Sequence, residues 1–404
     1  MKRATILAAI LAAVLLLSAC AAAVTQSTAP ADSGSTSAVG ETAPTDAAPT
    51  SAPEETAEIE TEETKEIEME KLTLKFMSGK VTATGLDSGR KSGTFTSYGC
   101  WQSTDYIDVS SYAGLKFELS AHRYLYSLSF YDENKAFVSG LATDSIIGYT
   151  ILQGHTAIPE GAKYARFANF TGSGEFPKVP SDIPVYAFAD KEDYELYKKT
   201  LAHDGLKIVC LGDSLTEGDI GFQLGVGVKH YLNYPYYLSQ IMGCTTVNDG
   251  RCGYSVSDYA SLYGGGSINV SDADIVLVML GTNGGITVGG AKKGLADYRK
   301  MINRIVADAP KNCKVILMTP PHATEDPAYC NYGYAPWVEN AAKETRALAE
   351  TLGLPLIDVF ADSPIRAGRE AEYQPTDGLH LCPDGYKVLA EFIAEKLEII
   401  LSEN

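Results

Sequence analysis

The chain has 404 residues, of which 45% are hydrophobic, so it is long enough to form more than one domain with a buried core. Its formal net charge is −18, but residues 21–70 alone hold twelve acidic residues against one lysine. The rest of the chain is only mildly acidic, and it has no stripe of basic residues. The composition therefore argues against nucleic-acid binding and against electrostatic binding to anionic lipid.

The first twenty residues have the composition of a secretory signal. Lys2 and Arg3 precede the apolar stretch 4–17, which is short for a membrane span. The stretch runs into Leu-Ser-Ala-Cys ending at Cys20, which resembles the lipobox of bacterial lipoproteins. The resemblance implies that residues 1–20 are a signal peptide and that an acylated Cys20 anchors an exported protein to the extracytoplasmic face of the membrane. The alternative is a simple cleaved signal with a chance cysteine.

Residues 21–70 are rich in Ala, Thr, Ser and Pro and then in Glu and Thr, with almost no large apolar side chains. Such a segment cannot bury enough surface to offset its chain entropy. We therefore predict a disordered, acidic tether. Repulsion between its like charges favours extension and would hold the following domains away from the membrane.

Residues 71–190 contain short runs in which apolar and polar side chains alternate. This period of two is typical of half-buried strands. The segments 132–134 and 159–161 have turn composition and separate such runs. We predict an antiparallel β-sandwich of jelly-roll kind as an accessory domain. The runs are Leu72–Phe76, Leu115–Leu119, Tyr126–Phe130 and Tyr164–Ala168.

Residues 195–404 alternate strand-like and helical segments, which indicates a parallel α/β sheet. Five strands of this kind predict a three-layer, flavodoxin-like fold. The predicted strands are Leu206–Leu211, Thr245–Asn248, Asp274–Leu280, Lys314–Thr319 and Leu354–Val359. The predicted helices lie near 231–242, 291–309, 336–352 and 384–402.

Small and polar residues follow directly on these strands. The segment 212–218 (GDSLTEG) follows the first strand, 248–253 (NDGRCG) the second and 281–284 (GTNG) the third, and 377–380 (DGLH) precedes the last helix. Because ligands bind beyond the carboxyl ends of the strands in such sheets, we expect these segments to meet at one edge. In this order, the four blocks resemble those of the SGNH/GDSL hydrolase superfamily over residues 205–404. The resemblance implies an SGNH hydrolase fold and serine esterase activity.

The blocks hold the residue types that nucleophilic catalysis needs. Ser214 lies on a tight strand-to-helix turn, and its hydroxyl becomes a nucleophile when a base accepts its proton. His380 can be that base, and Asp377 can hold the other ring nitrogen. The resemblance implies that these three are the catalytic residues. It also implies that the backbone amides of Ser214 and Gly253 and the side-chain amide of Asn283 bind the oxyanion. Each block alone is weak evidence for catalysis, because a GDS turn, for example, is also a common helix cap.

The third block departs from the family's usual Gly-x-Asn-Asp, because Gly284 follows Asn283. The departure puts the shape of that turn in doubt, since the usual aspartate braces it. Serine acyl transfer of this kind requires no metal and no organic cofactor. The seven cysteines after Cys20 include no CxxC pair, which argues against a metal site.

Aromatic residues are frequent in the predicted loops around the site. Tyr332, Tyr334 and Trp337 could form a stacking wall for a sugar ring, or could simply pack the long loop over the sheet. Trp101, Tyr124 and Tyr126 in the sandwich are candidate sugar platforms, with core packing as the alternative. Oligomeric state and disulfide pairing stay open.

Export, a tether and a β-sandwich companion favour an ester hydrolase that removes O-acetyl groups from carbohydrate. A lipase or lysophospholipase is the second hypothesis, and it predicts an apolar loop face beside the site. The third is a surface carbohydrate-binding lipoprotein with an inactive hydrolase scaffold, which an intact Ser214, Asp377 and His380 argue against.

Overall fold

A computed structural model of the chain describes residues 65–76, 83–87, 90–96, 101–121, 126–143, 145, 150–170, 184–223, 226–229, 232–287 and 292–403. The predicted signal peptide, including Cys20, and residues 21–64 of the predicted tether lie outside this set. In the described residues, no helix combines the length and the apolar character needed to cross a bilayer. The boundaries between the four predicted segments stay predictions.

Antiparallel sheets make up the N-terminal part of the described chain. In chain order the strands are β1 (Glu70–Lys71), β2 (Ala83–Asp87), β3 (Arg90–Thr96), β4 (Trp101–Ser103), β5 (Ile107–Asp108), β6 (Gly114–Ala121), β7 (Leu128–Tyr131), β8 (Phe137–Leu141), β9 (Thr150–Ala157), β10 (Tyr164–Phe170) and β11 (Val185–Phe188). One sheet has the order β1-β11-β6-β9, and a second has the order β4-β10-β7-β8 with β5 paired to β10. Strands β2 and β3 form a separate hairpin.

Alternating side chains of the two larger sheets share one buried core. Leu115 and Phe117 of β6 pack with Leu128 and Phe130 of β7 and with Phe167 of β10. This is the arrangement expected when half-buried strands pack face to face, and it confirms the prediction of antiparallel sheets. The predicted strand Leu72–Phe76 is wrong in extent, because in that run the structure has only an isolated bridge at Phe76.

The C-terminal half forms a parallel five-stranded sheet with helices on both faces, as predicted. The strands of this half are β12 (Lys207–Gly212), β13 (Asp219–Gln223), β14 (Val226–Lys229), β15 (Thr245–Gly250), β16 (Ile275–Met279), β17 (Lys314–Met318) and β18 (Leu356–Ile357). The parallel sheet has the order β15-β12-β16-β17-β18, and β13 and β14 pair separately. The helices are α1 (Lys191–Thr200), α2 (Ser214–Glu217), α3 (Tyr234–Met242), α4 (Val256–Gly264), α5 (Lys292–Asp308), α6 (Ala335–Leu352), α7 (Val359–Asp362), α8 (Glu370–Tyr373) and α9 (Pro383–Ser402).

Successive residues of a central strand face opposite layers of this sheet. Cys210 of β12 packs in the layer that contains Leu238 of α3 and Ile393 of α9. The next residue, Leu211, packs in the layer that contains Ile302 of α5 and helices α4 and α6. Because both faces are buried, the strand reads as a continuous apolar run and not as an alternating one.

The sandwich contacts the parallel-sheet half beside β15, the edge strand of the parallel sheet. The Tyr236 hydroxyl of α3 donates to Glu118 Oε2 of β6 at 3.2 Å, and Gln153 Nε2 of β9 donates to the Tyr236 carbonyl at 2.9 Å. Beyond β8, the Ser145 hydroxyl donates to the carbonyl of Asn248. The Asn248 side chain in turn donates to the Thr216 carbonyl of α2 at 2.7 Å. The sandwich is thus connected, through one residue of β15, to the turn that carries Ser214.

Two elements differ from the sequence prediction. Helix α4 was not predicted, although its start has a reciprocal capping box between Ser255 and Asp258. Its tyrosines and serines give little apolar periodicity. The predicted strand Leu354–Val359 is confined to β18, because Asp358 caps α7 and Val359 already belongs to that helix.

Candidate active site

Ser214 is the first residue of α2, immediately beyond β12. The side chain of Asp213 caps this short helix by accepting from the Leu215 amide at 3.2 Å. Ser214 is 2% exposed, and Asp213 is fully buried. The strand and the cap together hold the serine at the carboxyl edge of the sheet, the position that the sequence predicts.

His380 and Asp377 approach Ser214 from the segment before α9. The Ser214 hydroxyl lies 3.0 Å from His380 Nε2, and His380 Nδ1 lies 2.7 Å from Asp377 Oδ2. A carboxylate only accepts hydrogen bonds, so Nδ1 carries the proton and Nε2 is left to accept from the serine. Asp377 Oδ1 accepts from the backbone amides of Leu379 at 3.0 Å and His380 at 2.9 Å. The structure therefore brings together the serine, histidine and aspartate that the sequence predicts. They form a hydrogen-bonded series in which the histidine lies between the serine and the aspartate.

The electrostatics of this group favour a charged Asp377 and a basic His380. Burial lowers the pKa of His380, but the hydrogen bond and charge of Asp377, with the charges of Asp219 and Asp213, outweigh it and raise the pKa above its ordinary value. Burial raises the pKa of Asp377, but His380 and the two backbone donors outweigh it and lower the pKa. Burial raises the pKa of Asp213 to about 6. The imidazole is thus a stronger base than an ordinary histidine.

The predicted oxyanion donors lie on loops that are joined to the Ser214 turn. After β15, the Arg251 amide donates to the Gly212 carbonyl at 2.9 Å, and the chain continues to the exposed Gly253. From the next loop, Asn283 Nδ2 donates to the carbonyl of Tyr254 at 3.2 Å. Gly253 and Asn283 therefore lie on loops that are joined through the carbonyl of Tyr254, and their role as oxyanion donors stays a prediction.

Residues 210–388 match the GDSL-like Lipase/Acylhydrolase family. These residues form a GDSL-like acylhydrolase domain. The four blocks on which the sequence resemblance rests fall within it, and so do Ser214, His380 and Asp377.

Several solved structures are similar to this domain at low identity. One is a carbohydrate acetylesterase family member from Sinorhizobium meliloti, with 20% identity, coverage of 49% of this chain and 99% of that chain, and a TM-score of 0.38. The M. smegmatis aryl esterase has 18% identity, coverage of 48% and 99%, and a TM-score of 0.38. A lipase/acylhydrolase from Enterococcus faecalis has 22% identity, coverage of 48% and 95%, and a TM-score of 0.36. No curated protein matches the chain significantly.

The turn of the GDSL-like domain that carries Gly284 is braced from α6. Asn340 Oδ1 accepts from the amides of Ile286 at 2.7 Å and Thr287 at 2.9 Å, and its Nδ2 donates to Thr287 Oγ1 at 2.5 Å. Sequence reasoning missed Asn340, because only the packing of α6 brings it to this turn. An amide side chain thus supports the turn in which the family's usual aspartate is missing.

Restoring that aspartate is expected to change stability more than catalysis. Gly284 has a φ of 86°, in the left-handed region, and an added Cβ would meet no atom within 4 Å. Gly284→Asp should therefore lower the free energy of unfolding by about 1 kcal/mol through backbone strain, with kcat for ester hydrolysis within about threefold of wild type. Urea denaturation and steady-state kinetics measure the two effects. A tenfold rise in kcat would show that an aspartate at this position takes part in the reaction.

The predicted aromatic residues lie on one segment at the start of α6. Tyr332 is 51% exposed, whereas Tyr334 and Trp337 are half-buried and pack edge to face with ring centroids 4.9 Å apart. Burial, followed by the charge of Asp377, raises the pKa of Tyr334. The three residues do lie together, with one exposed ring and two packed ones. In the sandwich, Tyr126 is only 6% exposed, which contradicts its use as a platform; Tyr124 and the side chain of Trp101 lie outside the described parts.

Sequence reasoning also missed groups that surround Asp377. Gly221 of β13 has a φ of 88°, and a Cβ there would lie 2.7 Å from Asp377 Oδ2. The Asp219 carboxylate accepts from the Gly221 amide at 2.9 Å and from the Cys252 thiol at 3.2 Å. No motif marks these residues, because their place depends on how β13 folds back over Asp377.

Proposed function

We propose that this protein is an extracytoplasmic serine ester hydrolase that removes O-acetyl groups from carbohydrate. The observation that carries the proposal is the hydrogen-bonded series Ser214, His380 and Asp377. Each member has the donor or acceptor role that acyl transfer requires. A surface protein with an inactive hydrolase scaffold has no use for this arrangement.

Acylation begins at the Ser214 hydroxyl. Its proton passes to His380 Nε2 as Oγ bonds to the acetyl carbonyl carbon, and the imidazolium that forms is stabilised by Asp377. The carbonyl oxygen becomes an anion, which the amides of Ser214 and Gly253 and the side chain of Asn283 would bind. When the tetrahedral intermediate collapses, the sugar oxygen leaves with the proton from Nε2, and the acetyl group stays on Ser214.

Deacylation repeats these steps with water. His380 Nε2 accepts a proton from the water molecule while its oxygen attacks the acetyl carbonyl carbon. Collapse of the second tetrahedral intermediate returns the proton from Nε2 to Ser214 Oγ and releases acetic acid. The cycle uses only side chains and backbone amides, and it requires no metal or organic cofactor.

A sugar substrate is supported by the aromatic side chains beside the site. Tyr332 exposes its ring on the loop that also carries Tyr334 and Trp337, and sugar rings stack on such faces. A lipid substrate would favour exposed aliphatic side chains there. Among the described residues, however, the exposed large apolar side chains on the loops around the site are the tyrosines Tyr254 and Tyr332.

The proposed location follows from the N-terminal sequence. A lipid at Cys20 would anchor the protein to the membrane, and residues 21–70 would act as a tether that lets the enzyme reach a polymer outside the cell. Incorporation of labelled fatty acid into the wild-type protein, and its loss in Cys20→Ala, tests the anchor. Labelling that persists in the variant would contradict it.

Acetate release tests the proposed activity. The full chain is incubated with acetylated xylan, pectin, mannan and peptidoglycan, and with p-nitrophenyl esters of acetate and of long-chain acids. We expect acetate release from at least one polymer, preference for the acetate ester, and a rate no higher than background for Ser214→Ala. Equal rates for wild type and Ser214→Ala would favour the binding-protein hypothesis, and preference for long acyl chains would favour the lipase hypothesis.

A further inference from the structure

Asn331 ends the long loop between β17 and α6 and precedes the short 3-10 helix Tyr332–Tyr334. An asparagine at this position usually caps the helix by accepting from one of its amides. Here the side chain makes no capping hydrogen bond. Instead it points towards the triad acid.

The contact between Asn331 and Asp377 has two parts. Asn331 Nδ2 donates to Asp377 Oδ2 at 2.9 Å, and the Asn331 backbone amide donates to the Asp377 carbonyl at 3.2 Å. The same Oδ2 accepts from His380 Nδ1. The side-chain oxygen of Asn331 and the carboxylate of Asp377 are both acceptors and repel each other. The NH₂ group of Asn331 must therefore be the end that points at Oδ2.

This contact completes the set of donors around the Asp377 carboxylate. Oδ1 accepts from two backbone amides, and Oδ2 accepts from His380 and Asn331. The tight approach of Gly221 closes another side of Oδ2. Without Asn331, His380 would be the one side chain among the described residues that donates to Oδ2. The carboxylate could then rotate, and Oδ2 would no longer point at His380 Nδ1.

Resting on the proposed esterase function, we propose that Asn331 is a positioning residue that holds Oδ2 of Asp377 in line with His380. It acts through Asp377 and does not touch the reacting atoms. Asn331 also accepts from the Tyr334 amide through its carbonyl at 3.0 Å. The segment that bears the aromatic residues is therefore attached, at one residue, to the acid of the triad.

The kinetic test compares Asn331→Ala and Asn331→Leu with wild type in the full chain, using p-nitrophenyl acetate. Leucine keeps the approximate shape of asparagine but donates no hydrogen bond. We expect kcat to fall roughly 10- to 100-fold in both variants because a misplaced acid misplaces the base, with KM within about threefold. Glu325→Gln, an exposed change in the same loop, is the control and should match wild type.

The pH profile separates positioning from a merely structural role. The charged groups around His380 are Asp377, Asp219 and Asp213. In the variants the carboxylate is no longer held in line with Nδ1, so its hydrogen bond and charge raise the pKa of His380 less, and the acid limb of kcat/KM should move to lower pH. An unchanged kcat, a loss confined to KM, or a lower kcat with an acid limb that stays in place or moves to higher pH would overturn the proposal.

An NMR titration makes the inference independent of ester hydrolysis. The His380 ring is assigned by comparison with His380→Gln, and its pKa is measured in the wild type and in the Asn331 variants. A lowered His380 pKa in the variants supports positioning even if no ester is cleaved, in which case only the proposed function fails. An unchanged or raised His380 pKa in folded variants of an active esterase would overturn the role of Asn331 alone.

Discussion

Asp377→Asn is expected to lower kcat for p-nitrophenyl acetate by about 10⁴-fold. The carboxylate accepts the Nδ1 proton of His380 at 2.7 Å and so fixes the tautomer in which Nε2 can accept from Ser214. An amide can instead present its NH₂ group to Nδ1. The proton then moves to Nε2, and the ring can no longer accept from the serine. KM should change little, because the acid does not contact the ground-state ester.

The same substitution should shift the pH dependence of activity. His380 must be neutral to act as a base, so activity is lost as the pH falls through its pKa. Asp377 raises that pKa above its ordinary value of 6.5, so the acid limb of wild-type kcat/KM should lie above pH 6.5. In Asp377→Asn, burial of the ring still lowers the pKa of His380, and the charges of Asp219 and Asp213 are left to raise it. The acid limb should therefore move to lower pH.

Asp384 offers a matched control for the substitution of Asp377. Asp384→Asn changes an exposed aspartate in the first turn of α9, a few residues beyond His380, and should leave both kcat and the pH profile unchanged. If Asp377→Asn kept more than about a tenth of wild-type kcat while remaining folded, Asp377 would not be the residue that orients the imidazole.

The parallel sheet could be predicted because its signal is local. Strands such as β12 and β16 are buried on both faces, so each appears in the sequence as a short apolar run followed by small and polar residues. Parallel strands end at one edge of the sheet. Ser214 and Asn283 could therefore be assigned to a common site once the strands after which they come had been recognised.

The surroundings of Ser214, His380 and Asp377 could not be predicted in the same way. Asn331 and Asn340 act through loop and helix packing that places them beside residues 46 and 54 positions away in the chain. Gly221 matters because β13 passes close to Asp377, which no local pattern reveals. The missed helix α4 had a local signal in its capping box, but its sequence lacks a strong apolar stripe. The sequence therefore predicts the reacting groups better than the groups that hold them.

The side-chain amide of Asn283 provides the second test with a large expected effect. An amide nitrogen carries two hydrogens, so donation to the Tyr254 carbonyl at 3.2 Å uses one and leaves the second for an oxyanion. Asn283→Ala removes this donor from the tetrahedral intermediate and should lower kcat about 10²- to 10³-fold. Asn283→Asp keeps the shape but places a negative charge there, so its loss should be larger.

The split between kcat and KM decides whether Asn283 acts on the intermediate or only on the loop. The oxyanion forms after the substrate binds, so KM should stay within about threefold while kcat falls. Asn269→Ala, at an exposed surface turn of the same half of the chain, controls for loss of an asparagine. Full activity in Asn283→Ala would remove this side chain from the oxyanion site. A loss confined to KM would assign it to substrate binding, leaving the backbone amides of Ser214 and Gly253 to stabilise the anion.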